Sequence, residues 1–236
     1  MIQIDRLSKS FKEKKVLNQL SLTLKTGEIT AIVGPNACGK TTLIRSILGL
    51  VIPDSGTIAF DGVPQDSAGQ FRRAIGYMPQ VPAFPNNLTA RELFDMLEDL
   101  RQEKGVFKQE LIDYFSMESR LDQPLELLSG GTKQKMAAIM AFMFNAPLVI
   151  LDEPTAGLDP LSIIRFKELL FQKAKAGTTI IFTSHIMTEV QHLAQNLVFM
   201  TEGQLIYSGE IAPLLQKMNV THLEAAITQL FEEHGS

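Results

Sequence analysis

The stretch Gly34-Pro35-Asn36-Ala37-Cys38-Gly39-Lys40-Thr41-Thr42 decides the fold of this chain. It follows an apolar run at residues 29–33 that is typical of a buried strand, and it leads into a helical pattern at residues 43–48. A glycine-bounded turn in this position presents successive backbone N–H groups together with the positive end of a helix dipole. The stretch fits G-x-x-x-x-G-K-[ST], so it predicts a site for a phosphate chain. Lys40 would neutralise the outer phosphates, and the Thr41 hydroxyl would bind Mg²⁺.

Length and composition limit the class of protein. With 236 residues, of which 45% are hydrophobic, the chain can bury one α/β core together with a subdomain. The net charge of −4 gives no general electrostatic case for nucleic acid, and we expect no nucleic-acid partner. The single cysteine excludes an internal disulfide and fits a reducing compartment. No signal-peptide pattern is present and no apolar run approaches ~20 residues, so we expect membrane association only through a partner.

Alternating and apolar stretches predict the strands. Ile2 and Ile4, and later Leu20, Leu22 and Leu24, alternate with polar residues, which indicates half-buried strands of an antiparallel sheet beside a parallel core. Residues 8–11 between them are expected to form a loop that exposes one aromatic ring. Further strands are expected at residues 29–33, 57–60, 75–80, 148–151 and 178–183, and a hairpin at residues 197–200 and 205–207.

Between about residues 88 and 144 the periodicity is helical, which predicts a helical subdomain inserted into the core. Thr89 and Glu92 form a capping box for the first helix, and a second helix is expected to end near Met117. Asp159-Pro160 begins a later helix that ends at Gly177. A last helix is expected at residues 221–231.

Two acids, Asp152 and Glu153, directly follow the apolar run at residues 148–151. The carboxyl ends of strands in open α/β sheets are where ligands bind. Asp152 suits indirect Mg²⁺ coordination, and Glu153 suits orienting and deprotonating a water that attacks the γ-phosphate. By itself the pair could be an acidic turn before Pro154, but the phosphate loop favours the functional interpretation.

A second helix start that suits an anion lies at Ser129-Gly130-Gly131. A monomer with one nucleotide has no obvious use for two such sites. In a head-to-tail dimer, each second site can close on the γ-phosphate bound by the other subunit. The alternative interpretation is an ordinary helix that begins with glycine.

Over about residues 2–210 the chain resembles the ATP-binding subunit of a bacterial ABC transporter. Residues 34–42 resemble the Walker A loop, residues 148–153 the Walker B strand, and Ser129-Gly130-Gly131 the family signature. The resemblance implies an α/β P-loop NTPase fold with a parallel sheet, a flanking antiparallel β subdomain and the inserted helical subdomain. Residues 1–210 would form the ATP-binding domain, with residues 211–236 as a short helical extension. ATP and Mg²⁺ are the implied ligands.

Several residues take their expected roles from the resemblance alone. Gln80 falls at the family's Q-loop, which contacts Mg²⁺ or the attacking water, and Asp159 falls in the D-loop, which crosses the dimer interface. His185 matches the switch histidine that bonds to the γ-phosphate. Phe11 sits where the family keeps an aromatic that stacks on adenine, with Val16 as its apolar neighbour. The implied catalytic residues are Lys40, Gln80, Glu153 and His185; the metal ligands are Thr41, Gln80 and Asp152; and the nucleotide contacts are Phe11, Val16, Gly34, Asn36, Ala37, Cys38, Gly39, Lys40, Thr41, Thr42, Ser129, Gly130, Gly131 and Asp159.

Three residues depart from the family pattern. Ala37 replaces a usual glycine, which puts the loop conformation in question if positive φ is needed there. Cys38 replaces a usual serine or alanine, and Thr132 replaces the glutamine that usually follows the two signature glycines.

The resemblance implies ATP hydrolysis that drives a transporter. Two copies would close on two MgATP and push, through the region of residues 80–114, on separately encoded membrane subunits. The short chain favours a bacterial export system, placed in the cytoplasm on the inner face of the cell membrane. Residues 133–136 and 141–145 resemble the ATPases of copper-linked transporters that help to assemble nitrous oxide reductase; multidrug or lipid export is the comparable alternative. A second class is a soluble ABC ATPase that acts as a scaffold, for example in iron–sulfur assembly.

Overall fold

A four-stranded antiparallel sheet forms one layer of the molecule, which is described by a computed structural model over residues 1–66 and 68–234. Its strands, in spatial order, are β2 (Lys14–Leu24), β1 (Ile2–Phe11), β4 (Ser55–Phe60) and β5 (Val63–Pro64). Ile2, Ile4, Leu22 and Leu24 are buried while their neighbours along each strand are exposed. The alternation predicted from the sequence therefore places one face of this sheet on a core.

A six-stranded sheet forms the centre of the fold. Its strands, in spatial order, are β10 (Gln204–Glu210), β9 (Asn196–Thr201), β3 (Ile29–Val33), β8 (Thr179–Thr183), β7 (Leu148–Asp152) and β6 (Ile75–Met78). All neighbouring strands are parallel except β10, which pairs with β9 as an antiparallel hairpin. Every residue of β3, β7 and β8 is buried, which explains their continuous apolar sequences. Their carboxyl ends lie at one edge of the sheet.

The helices cover both faces of the parallel sheet: α1 packs on one face, and the inserted and C-terminal helices pack on the other. They are α1 (Lys40–Ile47), α2 (Ala90–Arg101), α3 (Lys108–Tyr114), α4 (Gly130–Phe142), α5 (Pro160–Lys175), α6 (Met187–Leu193), α7 (Ile211–Lys217) and α8 (Leu223–His234). The capping box at Thr89 and Glu92 is present at the start of α2, and Asp159 caps α5 as predicted. No helix within the described ranges combines the length and the apolar character that crossing a membrane requires.

The parallel sheet separates two apolar cores. Ile32, Leu43 and Ile150 belong to the core shared with the antiparallel sheet and α1. Val33 and Leu151 point to the opposite core, which the inserted helices and the C-terminal helices complete. The predicted fold class, an α/β core with an antiparallel β subdomain and an inserted helical subdomain, is confirmed.

Several predicted boundaries were wrong. The strand expected at residues 75–80 ends at Met78. Residues 8–11 are not a loop, because β1 continues to Phe11 through shifts of register that break the simple alternation. The second inserted helix, α3, ends at Tyr114, and Ser116 has a φ of +53° that a helix cannot continue through. The last helix begins at Leu223 and reaches His234, rather than covering residues 221–231.

Candidate active site

Two glycines allow the loop between β3 and α1 to pack against its neighbours. A Cβ atom at Gly34 would collide with the carbonyl oxygen of Met200 on β9. At Gly39, where φ is +112°, a Cβ atom would lie 2.7 Å from the carbonyl oxygen of Val16. Only glycine lacks a Cβ atom and readily adopts such a positive φ, so at these two positions it lets the loop backbone lie close to β2 and β9.

The two departures from the family pattern in this loop have different consequences. Ala37 adopts a φ of +61°, so the left-handed conformation forms although the residue has a Cβ atom. Cys38 is buried in the core that the loop shares with α1, and its side chain does not line the cleft above the loop. A nucleotide contact from Cys38 can therefore come only from its backbone in this conformation.

Lys40 begins α1, and its ammonium group is turned back onto the loop. Nζ donates to the carbonyl oxygens of Gly34 at 2.7 Å and Pro35 at 3.0 Å. These are neutral acceptors at the positive end of a helix, where a phosphate oxygen is a stronger partner for the ammonium group. The Lys40 side chain is thus hydrogen-bonded to the loop backbone, beside the position predicted for the outer phosphates.

A cleft of about 340 Å³ opens above this loop and collects most of the predicted site residues. It is lined by Lys14, Val16, Asn36, Ala37, Gly39, Lys40, Thr41, Thr42, Gln80, Asp152, Glu153 and His185. Of these, Lys14 was not predicted; it belongs to a cluster of lysines that the sequence alone does not distinguish from a solvated turn.

The two acids at the end of β7 are held by Thr183 of the neighbouring strand β8. The Thr183 hydroxyl donates to Asp152 Oδ1 at 2.6 Å, and the Glu153 N–H donates to Thr183 Oγ1 at 3.0 Å. Asp152 and Thr183 are direct register partners. Glu153 has a φ of +49°, a conformation that non-glycine residues adopt mainly where surrounding contacts enforce it. Thr183 is therefore a positioning residue that sequence reasoning missed.

Glu153 and His185 meet at the mouth of the cleft. The distance between Glu153 Oε1 and His185 Nε2 is 2.5 Å. His185 is half exposed, whereas the Glu153 carboxylate is mostly shielded. The contact joins the predicted water-activating group to the predicted γ-phosphate contact, and it orients both side chains toward the same space.

The remaining predicted residues lie outside the cleft. Ser129 and Gly130 are exposed at the start of α4, where the Ser129 hydroxyl accepts from the Thr132 N–H at 3.3 Å. Asp159 caps α5 and pairs with Lys135 at 3.0 Å. The hydrogen bonds from Ser162 and the contact with Lys135 lower the pKa of Asp159 below its ordinary value.

Phe11 is also outside the cleft. The residue is 49% exposed, and the Lys9 ammonium lies 5.5 Å from the centroid of its ring. The adenine contact at Phe11 stays a prediction.

The donor set of the cleft suits Mg²⁺ bound together with a phosphate chain. Thr41, Gln80 and Asp152 supply hydroxyl, amide and carboxylate oxygens, the ligand types that Mg²⁺ prefers. Within residues 1–66 and 68–234 no group of three His, Cys, Asp or Glu side chains is arranged to hold a metal by itself. The residues thus fit an ion that shares its coordination with phosphate oxygens and water.

A glycine-bounded turn before a helix at the carboxyl edge of a parallel sheet, with a carboxylate lining the same cleft, is the arrangement of a P-loop nucleoside triphosphatase. Similarity to known proteins identifies the family within this class. The family model described as ABC transporter matches residues 17–156. The chain therefore belongs to the ABC transporter family, and the predicted assignment as an ABC-type ATPase is confirmed.

Individual relatives agree with this assignment. The chain is 34% identical over 223 residues to Nod factor export ATP-binding protein I of Sinorhizobium fredii, covering 92% of this chain but only 64% of that protein. It is 32% identical over 213 residues to lantibiotic transport ATP-binding protein SrtF of Streptococcus pyogenes, covering 89% of this chain and 91% of that protein. A solved structure of the ATP-binding subunit of an ABC transporter superposes with a TM-score of 0.91 at 26% identity, covering 98% of this chain and 99% of that one.

Proposed function

We propose that this chain is the ATP-hydrolysing subunit of an export-type membrane transporter, and that it works as a head-to-tail dimer. One observation carries the dimer: Ser129 and Gly130 are exposed at the start of α4, away from the cleft that contains Lys40 and Glu153. An exposed helix start with unpaired N–H groups suits an anion. In a two-fold arrangement it would reach the γ-phosphate in the cleft of the other subunit.

The chemistry would depend on Glu153. Its carboxylate accepts a proton from a water while the water oxygen attacks the γ-phosphorus; the bond to the bridging oxygen breaks and ADP leaves. Thr183 keeps the acidic segment in place, and His185 moves from Glu153 to the γ-phosphate as the site closes. Lys40 neutralises charge on the outer phosphates. Mg²⁺, held through Thr41, Asp152 and Gln80, would supply further charge neutralisation.

The membrane partners are proposed from the names of relatives. Two of them are an export and a transport ATP-binding protein. By analogy, separately encoded membrane subunits would select the cargo, and this chain would bind them on the inner face of the cell membrane. The resemblance of residues 133–136 and 141–145 suggests a copper-linked transporter for nitrous oxide reductase assembly, and multidrug or lipid export is an equal candidate. An iron–sulfur scaffold is the alternative outside transport.

Two measurements test this proposal. Purified chain should hydrolyse ATP only with a divalent cation, and Glu153→Gln should lower kcat by about 10²–10⁴ while ATP still binds. Affinity purification of the tagged chain from its own host's detergent-solubilised membranes should recover an integral membrane protein encoded separately. Absence of ATPase activity in the wild-type protein would reject the proposed enzymatic function. Recovery of soluble assembly proteins alone would favour the function as a scaffold.

A further inference from the structure

Gln134 connects two loops of the proposed site to the helix that begins with the signature. It lies in the second turn of α4 and is only 4% exposed. Its Nε2 donates to the Ala156 carbonyl at 3.2 Å and to the Gln80 carbonyl at 3.4 Å. Ala156 follows the two acids, Asp152 and Glu153, along the chain. Gln80 lines the cleft.

The Gln134 amide is oriented so that its nitrogen is hydrogen-bonded to both loops while its oxygen is left without a donor among the residues that the structure describes. Gln134 Oε1 is buried and, within the described parts of the chain, has no hydrogen-bond partner. A buried amide oxygen without a donor is costly, and native structures keep few of them. Both hydrogen bonds are donated by Nε2. The carbonyls of Gln80 and Ala156 therefore determine the orientation of the Gln134 amide.

The start of α4 also contacts the segment after the acids directly. A Cβ atom at Gly131 would lie 2.9 Å from the Gly157 carbonyl oxygen, so the backbones approach as closely as glycine permits. Lys135 pairs with Asp159 on the same side. The first turns of α4 are therefore fastened to residues 156–159 at three points, and Gln134 is the one that also reaches Gln80.

We infer that Gln134 is a positioning residue that makes the Gln80 loop, the segment after Glu153 and the start of α4 move together when the nucleotide site closes. The inference rests on the proposed ATPase dimer. If it holds, losing the amide donors should weaken the coupling between ATP binding and hydrolysis, while the cleft that first binds ATP stays intact.

The test compares Gln134→Met with the control variant Gln65→Met, at a half-buried glutamine that makes the same kind of hydrogen bonds. Gln65 Nε2 also donates to two backbone carbonyls, those of Ser46 at 3.1 Å and Ile47 at 2.9 Å, but none of these residues lines the cleft. Methionine keeps the side-chain length and a similar helix propensity. We expect Gln134→Met to lower kcat about 10-fold with the ATP Kd changed less than about 2-fold, because two neutral hydrogen bonds are lost. Gln65→Met should leave kcat unchanged.

A second variant and a stability measurement separate coupling from folding. Gln134→Glu keeps the shape but loses both N–H donors, so its kcat should fall at least as far, with thermal unfolding recorded for all variants. Wild-type kcat in either Gln134 variant would overturn the inference, as would a loss that Gln65→Met shares or failure of both Gln134 variants to fold. Inactive wild-type protein would instead reject the proposed function.

Discussion

Ala37 shows how a single residue can depart from a family pattern and still preserve the loop. Its φ of +61° is the conformation that glycine adopts without cost, and alanine adopts it only because the rest of the loop enforces it. The sequence predicted Lys40, Thr41, Asp152 and Glu153 because each stands in a local motif. It could not predict Thr183, since that role depends on the pairing of β7 with β8.

Relieving the backbone strain at Ala37 should stabilise the protein. We expect Ala37→Gly to raise the free energy of unfolding by about 0.5–1 kcal/mol, since the lost strain exceeds the added freedom of the unfolded chain. Urea titration followed by circular dichroism measures this. A stability equal to or below that of the wild type would mean that the residue is unstrained.

Removing the Thr183 hydroxyl should impair the acidic segment more than it impairs the fold. Thr183→Val leaves Asp152 without its 2.6 Å donor, and we expect kcat to fall about 10-fold or more. The matched control is Thr179→Val at the other end of β8, where the hydroxyl accepts from the Gly27 N–H. Equal kcat values for the two variants would contradict a positioning role for Thr183.

Among the elements, the strands of the parallel sheet were the most predictable. Their burial on both faces makes each an uninterrupted apolar run, whereas β1 was shortened in the prediction because its register shifts hide the alternation. Buried charge is also invisible from the sequence. Glu98 of α2 is 3% exposed and contacts Lys104, Lys108 and the Gly105 N–H, which connects α2 to the start of α3.

The Glu98 contacts should make the inserted helices sensitive to acid. Burial by itself would raise the pKa of Glu98, but the hydrogen bonds from Gly105, Lys104 and Lys108 outweigh it and lower the pKa to about 2. A lowered pKa gives stability that is present above the unfolded value of 4.5 and is lost as pH falls toward 2. Compared with Glu98→Gln, the wild type should lose about 2 kcal/mol more unfolding free energy over this range.

Chemical denaturation of both proteins at several pH values between 6 and about 2.5 tests this difference. Titration of other carboxylates is common to the two proteins and cancels in the comparison. Parallel stability curves for wild type and Glu98→Gln would show that the Glu98 pKa is not lowered in the folded state.

At the scale of the whole molecule, the two proposed halves of one nucleotide site are separated. The cleft holds Lys40 and Glu153, while the exposed Ser129-Gly130 start of α4 lies outside it. The order of motifs along the chain predicted both halves, but their separation emerges only from the packing of the inserted helices against the sheet. A complete site on this account needs two copies of the chain.

Sedimentation velocity of Glu153→Gln in the presence of MgATP tests this account most directly. Blocking proton removal should leave ATP in place and hold the closed state, so we expect a dimer with MgATP and a monomer with MgADP or with Ser129→Arg added. ATP retained on the protein should be measured in the same fractions. A monomer that carries bound ATP, even when its membrane subunits are added, would contradict the account.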